Sequence, residues 1–477
     1  MDAIETAGLI RSGRMSACEA VEEAIRRAKR TDHQINAIVW QRFDAALEDA
    51  RTGRFNEAGP LAGVPTLLKD FATPVAGEPE IEGNRILRDL GLIAAVDSNV
   101  VARLRKGGLI SLGRSHSPEF AVGKAGAACE TEAFGVTRNP WRAELSTMGS
   151  SGGAAAAVAA GIVPVAHGND AGGSIRMPAS ACGIVGLKPS RGRISWGPLA
   201  GEVRNGAATQ GMLTRTVRDA ALTLDILSGY EPGDHYTAPP PERPFLEEVG
   251  RDPGSQRIGF CTSLPEGRVD PACVAAVEKA ASSLSALGHH VERAHPDAYF
   301  ERQALLNHRS YVGACLASTL DGYQTRIGRA WTADDMEDGS WLAYQQGKAL
   351  SAADYLRIVR ETNQYARRLA SWWERDAGFD LLVTPTLSGP PPALGYLTEG
   401  DYSERRNRSR NLVAFTVQSN ISGQPAISLP LHWTDDDIPI GVQLVARFAG
   451  EALLIRVAAQ LEQALPWADR HPPIYAE

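Results

Sequence analysis

No pair of cysteines in this chain has the spacing of a metal site or a redox motif. The six, at positions 18, 129, 182, 261, 273 and 315, form no CxxC, so they read as reduced, mostly buried thiols. Long apolar runs are also missing. The best, from Ala154 to Val165, contains Pro164 and falls short of the roughly 18 residues a membrane span needs. The start, Met1 to Thr6, is acidic and lacks the basic and apolar regions of a signal peptide, so a cytoplasmic location is the default expectation. Positive charge is not in excess: the formal net charge is −7 and the pI about 5.9, which argues against nucleic acid or anionic membrane as partner. The one basic cluster, Arg405 to Arg410, reads as a solvated surface segment. There is no G-x-x-x-x-G-K-[ST], no G-x-G-x-x-G after a strand and no internal repeat, so neither a nucleotide site nor a solenoid is expected.

What is present is ordinary soluble-protein material, 43% hydrophobic and 22% charged over 477 residues, enough for a large core. Ser16 and Glu19 have the form of a capping box before Val21, Ala24, Ile25 and Ala28 at helical spacing, and Phe43, Ala46, Leu47 and Ala50 suggest a second helix. Val64–Leu68 reads as a buried strand ending at Lys69. Helix is expected over 97–106, 154–160 and 270–288, and strand over 109–113, 257–261, 381–383, 426–429 and 441–445, before a closing helix. The Pro- and charge-rich stretch 231–254 reads as an exposed connection. Residues 300 to 375 read as helical and hold Trp331, Trp341, Trp372 and Trp373, most of which should fill core. Alternating helix and strand implies an α/β architecture.

The densest signal lies between Ser146 and Pro189. Two clusters, Gly149-Ser150-Ser151-Gly152-Gly153 and Asp170-Ala171-Gly172-Gly173-Ser174-Ile175-Arg176, each set a serine on glycine-rich backbone. Glycine lets a ligand approach the main chain closely, so successive N–H groups can converge on one oxygen. That pattern suggests a serine nucleophile beside an oxyanion hole. The first cluster also satisfies G-x-S-x-G with Ser151 central, the nucleophile turn of α/β-hydrolases. However, Arg142 to Thr147 does not read as the buried strand that turn requires, and none of the ten histidines sits in a recognisable triad context.

The serine- and glycine-rich stretch, its GGSIR-x-P segment and the CGIVGLKPS that follows resemble the amidase signature family of serine hydrolases. The likeness extends through residues 63–70, 134–141, 380–386, 423–430 and 441–444. It is nearest in pattern to the branch of cyclic amide-oligomer hydrolases and weakest over 300–375. The resemblance implies one domain spanning the chain, with a single large mixed sheet flanked by helices on both faces. It also implies a Ser174 nucleophile, a Ser150 relay that follows a cis peptide bond, and Lys69 as the base. A lone lysine at a strand end is ordinarily a surface residue. In this family context Lys69 would be buried and held neutral.

The family pattern further assigns the N–H groups of Ala171, Gly172, Gly173 and Ser174 to an oxyanion hole, and supporting roles to Ser151, Asp170 and Arg176. Met148 stands where the family usually has glycine, and with Tyr311, Cys315 and Trp331 it is expected to wall the substrate pocket. The implied activity is hydrolysis of neutral linear or cyclic amides, with anilides, carbamates and esters as further candidates. No cofactor or metal is implied, no second lysine or arginine cluster suggests recognition of a charged carboxylate or of tRNA, and the partner is a small-molecule amide acted on by a monomer or homodimer. The alternatives are the amidase subunit of a glutamine-dependent transamidating complex, an α/β-hydrolase using Ser151, and a non-catalytic binding protein on the same fold.

Overall fold

Eleven strands form one mixed sheet in the computed structural model, which describes residues 1–374 and 378–476. In chain order they are β1 (Ile38–Gln41), β2 (Pro65–Lys69), β3 (Ile110–Ser115), β4 (Val165–Asp170), β5 (Val185–Lys188), β6 (Thr209–Thr214), β7 (Arg257–Phe260), β8 (His290–Arg293), β9 (Leu381–Pro385), β10 (Ala426–Trp433) and β11 (Pro439–Ala446). Their spatial order is β1-β3-β2-β4-β6-β5-β10-β11-β9-β7-β8. β2 pairs in parallel with β3 and β4, and β7 with β8 and β9. The strands between these groups run antiparallel, as does the β1 edge.

Side chains alternate across a strand, so each strand feeds two cores. Val165, Met212, Leu381, Val383, Leu444 and Ala446 join one cluster with the helices Val217–Leu227, Pro271–Ala286 and Glu451–Ala464. Their neighbours Ala166 and Leu213 join a second with the helices Ala17–Ile35 and Gly152–Ala159, while Leu382 and Val445 face a third with Tyr365 and Leu369 of Ala352–Ala370. Helices therefore cover both faces. Gly152–Ala159 is alanine-rich because it is buried all round, where only small side chains let it lie against strands on one side and other helices on the other.

Local chemistry accounts for the helix ends. Ser16 and Glu19 form the expected capping box, and Asp270 caps a helix whose first residue is Pro271. The structure adds a helix at Ala3–Arg11, closed by a second capping box between Asp2 and Glu5 and tied to Asp219, which accepts from the N–H groups of Ala3 and Ile4. The polar strands β4 and β6 are equally unsignalled in the sequence, being rich in Asn, Gln, Gly and Thr although every residue is buried. Arg142–Ser146 does extend, but as half of a two-stranded ribbon with Arg138–Asn139 and not as a buried strand.

The 300–375 region is helical as expected: Arg302–Ile327, Asp338–Ala349 and Ala352–Ala370. The first two cross closely at Gly313 and Gly347, where a Cβ on Gly347 would lie 2.0 Å from the Gly313 carbonyl oxygen. One reading needs correction. Arg405 to Arg410 lies in the middle of the helix Tyr402–Leu412, capped by Asp401; Asn407 and Arg410 are exposed as expected, but Arg405 is buried against Asp338.

Candidate active site

Parallel pairing of β2 with β4 brings the carboxyl ends of both strands to one place, so Lys69 and Asn169 come together there. Lys69 is fully buried. Its Nζ lies 2.7 Å from Ser150 Oγ and 2.7 Å from Asn169 Oδ1, and the Asn169 amide is itself held by the Phe71 carbonyl at 3.0 Å. Burial is the main cause that pulls its pKa from 10.5 to about 7, with the Arg204 charge adding to the fall. Ser150 follows a cis peptide bond from Gly149.

Ser174 lies beyond Ser150 and lines a cavity of about 650 Å³. Its hydroxyl has no hydrogen-bond partner among the described residues, and its carbonyl accepts from the Ser151 N–H. The backbone around it is held by its carbonyls: His308 Nε2 donates to Ala171 O at 2.7 Å, and Thr416 Oγ1 to Gly172 O at 2.6 Å. Of the four N–H groups expected to face an oxyanion, that of Gly173 is taken by Asp170 Oδ1 at 2.7 Å, so Gly173 is corrected to a positioning role. Those of Ala171, Gly172 and Ser174 have no partner among the described residues. Gly173 is the glycine this loop requires: its φ is +125°, and a Cβ there would meet Thr416 Oγ1 at 2.4 Å.

Asp170 and Arg176 form a fully buried, two-pronged ion pair at 2.9 and 3.0 Å. Arg176 also donates to Thr416 O, Ser419 Oγ, Gln443 Oε1 and Asn420 Oδ1. Burial alone would raise the Asp170 pKa, but the Arg176 guanidinium holds it well below the carboxylate range. This network fixes the loop that carries Ser174. Ser151 is fully buried, and its hydroxyl is turned to Asn169 O at 3.3 Å rather than to a histidine, which leaves nothing for a nucleophile turn centred on it.

The expected pocket wall is corrected by the structure: Met148, Tyr311, Cys315 and Trp331 do not line the cavity. On the helix Arg302–Ile327 the lining residues are Arg302, Leu305, Leu306, His308, Arg309 and Val312, whose spacing of three and four marks one face. Tyr311 and Cys315 belong to the neighbouring face. Tyr311 backs the His308 ring at 5.2 Å, and Cys315 lies behind Arg204. Trp331 fills a separate core with Phe120, its N–H satisfied by Leu320 O at 2.8 Å. Met148 is buried behind Ala125, Ala127 and Met177, and its φ of 59° explains why a glycine would suit that position.

Asn169, His308, Thr416 and Arg204 carry no motif and were not anticipated; of these only Asn169, one residue before Asp170, lay beside a recognised signal. The basic cluster Arg405–Arg410 was noted but not placed at a pocket, yet Arg204, Arg302, Arg309, Arg406 and Arg410 all line the cavity. A second cavity of about 410 Å³, beside β3, includes none of Lys69, Ser150 or Ser174. Among the described residues no group of three or more His, Cys, Asp or Glu could hold a metal ion, no helix is long and apolar enough to cross a membrane, and all six cysteines are free.

The model of the amidase family matches residues 19–455. The 6-aminohexanoate-cyclic-dimer hydrolase of Pseudomonas sp. (strain NK87) is 42% identical over 484 aligned residues, covering 99% of this chain and 96% of that enzyme. A solved 6-aminohexanoate cyclic dimer hydrolase complexed with substrate superposes with a TM-score of 0.94 at 40% identity, with 99% of each chain covered. A glutamyl-tRNA(Gln) amidotransferase chain from Thermotoga maritima stands further off, at a TM-score of 0.75 and 26% identity over 97% of this chain and 95% of that one. Sequence, sheet topology and the full length of the match agree, and the chain belongs to the amidase signature family.

Proposed function

We propose that the protein is an amidohydrolase that opens cyclic and cuts linear amides through an acyl-enzyme on Ser174. The observation that carries this reading is a buried lysine, with its pKa drawn to about 7, held 2.7 Å from Ser150, whose neighbour Ser151 donates its N–H to the carbonyl of the cavity-lining Ser174. A neutral amine donates to Asn169 Oδ1 and keeps its lone pair for the Ser150 hydroxyl. Ser150 can then accept the proton of Ser174 as that oxygen attacks the amide carbon. No hydrogen bond joins the two serine hydroxyls in the free enzyme, where catalytic contacts are commonly long and tighten with substrate bound.

The developing oxyanion would take the N–H groups of Ala171, Gly172 and Ser174. Return of the proton through Ser150 lets the amine leave, and water attacks the acyl-enzyme by the same relay. Membership of the amidase family and likeness to the cyclic-dimer hydrolases place the chain among hydrolases of carbon–nitrogen bonds other than peptide bonds. The cyclic and linear amide substrates follow from its likeness to the 6-aminohexanoate-cyclic-dimer hydrolases. Fluorophosphonate labelling with peptide mass spectrometry, run beside turnover of cyclic and linear amides, tests the assignment. Label on Ser174 is expected; label on Ser151, or turnover undiminished in Ser174→Ala, would end it.

A further inference from the structure

The five arginines that line the Ser174 cavity face a single carboxylate there, that of Glu266. None of the five forms an ion pair among the described residues, in a chain whose net charge is −7 and whose neighbouring Arg405 and Arg408 are both paired. Arginines without an ion pair also occur elsewhere on the described surface, Arg14 and Arg447 among them, but these five share one cavity. Such unpaired charge has no counterpart in the Asp170–Arg176 network, where each guanidinium nitrogen has an acceptor.

Arg204 makes the case strongest. It sits half-buried in the loop between β5 and β6 at a φ of 56°, a left-handed conformation that non-glycine residues seldom keep without a function. Its guanidinium has no hydrogen bond among the described residues and lies 5.9 Å from the centre of the Phe71 ring. Lys69, His308 and Cys315 are close enough to feel its charge, and none is an anion: burial holds His308 neutral and pushes the Cys315 thiol up. A guanidinium taken partly out of water without an acceptor is costly, and the missing acceptor can come from a ligand. Arg406, half-buried on the helix Tyr402–Leu412, repeats the pattern, while Arg309 on the helix Arg302–Ile327 is exposed at the cavity mouth. Arg309 acts on Arg406 as a like charge, Arg406 Nε has no partner, and its Nη1 reaches only Ala125 O at 3.4 Å.

We propose that this cavity is built for amides that carry a carboxylate, which Arg204 pairs beside the reacting centre while Arg309 and Arg406 draw it in. The inference rests on the amidase reading for the identity of the cavity. Guanidinium also binds phosphate, but the acyl half of every amide cut at Ser174 leaves as a carboxylate, so carboxylate is the anion this chemistry itself produces. Uncharged cyclic amides would use the apolar wall made by Leu264, Leu305 and Val312 in the same cavity.

The full-length Ser174→Ala protein permits the test without turnover. Calorimetric binding of N-acetyl-6-aminohexanoate is compared with that of its terminal-alcohol analogue, with inorganic phosphate as a third probe. The carboxylate should bind about 10- to 100-fold tighter than the alcohol, the range for a charge-assisted pair, and added salt should shrink that margin. Arg204→Gln on this background should remove most of the margin, and Arg204→Lys should restore part of it. Equal affinity for the two amides, or phosphate binding as tightly as the carboxylate, would overturn the proposal. Should Arg204→Gln not fold, Arg406→Gln and the salt titration of Ser174→Ala decide instead, and an unchanged margin in both counts against it. Failure of the amidase reading shows separately, as absence of label on Ser174.

Discussion

One side of the cavity is a network in which every charge is answered, and the other carries charges left open. Beneath Ser174, Asp170 meets Arg176, Arg176 meets four further acceptors, and Lys69 meets Ser150 and Asn169. Across from it, along Arg302–Ile327 and Tyr402–Leu412, guanidinium groups reach the cavity without forming an ion pair among the described residues. The first arrangement holds atoms still; the second leaves valence for something that arrives. In the proposals made here, satisfied burial marks the machinery that positions, and unpaired charge marks the surface that selects.

The largest break in this contrast should come from Ser174→Ala, which removes the acylated oxygen and should cut kcat by about 10⁴-fold or more with the thermal melt unchanged. Next, Asp170→Asn would strand Arg176 without its counter-charge in a fully buried site and cost about 3–5 kcal/mol in chemical denaturation, whereas Arg406→Gln on the open side should cost under about 1 kcal/mol. Comparable losses in the two variants would erase the distinction.

The pH dependence is the third test. Burial disfavours charged Lys69 and sets its pKa near 7, so the base is neutral above that value and protonated below it. The rate should therefore fall as pH drops through about 7, reaching roughly a hundredfold loss two units lower. An acid limb near the ordinary lysine value would mean that Lys69 is not the base.

Smaller still, His308→Phe should lower kcat by about tenfold while leaving KM nearly unchanged, because it frees the Ala171 carbonyl that sets the oxyanion-hole peptide. Tyr311→Phe should change either constant by no more than about twofold, since its hydroxyl is buried outside the cavity lining and makes no hydrogen bond within ordinary distance among the described residues. A large KM effect there would restore Tyr311 to the pocket wall.

Legibility in the sequence follows the same division. The side beneath Ser174 could be read because its chemistry is local: Lys69 ends an apolar strand, and Ser150, Asp170, Ser174 and Arg176 sit within one glycine-rich stretch. The capping boxes at Ser16 and the helix start at Asp270 are local in the same sense. β4 and β6 were missed because most of their buried residues are polar or glycine, each strand giving only two apolar side chains to the cores, so periodicity did not announce them. The helix 302–327 was found but its facing was misjudged, since apolar residues occur all round it and hydrophobicity does not distinguish the cavity side from the core side.

By itself, then, the sequence determined the α/β class and singled out Ser174 and Lys69 as the nucleophile and base proposed here, with the ion pair that braces their loop, because each depends on residues adjacent in the chain or on a strand end. Tertiary structure alone decided that Gly173 is a spacer and not an oxyanion donor, and that His308 and Thr416 hold the loop from more than a hundred residues away. It also decided that five arginines scattered from 204 to 410 share one cavity. The physical reason is that a single carboxylate oxygen or one helix face chooses its partner by distance and direction, and both are set only when the sheet order has been fixed.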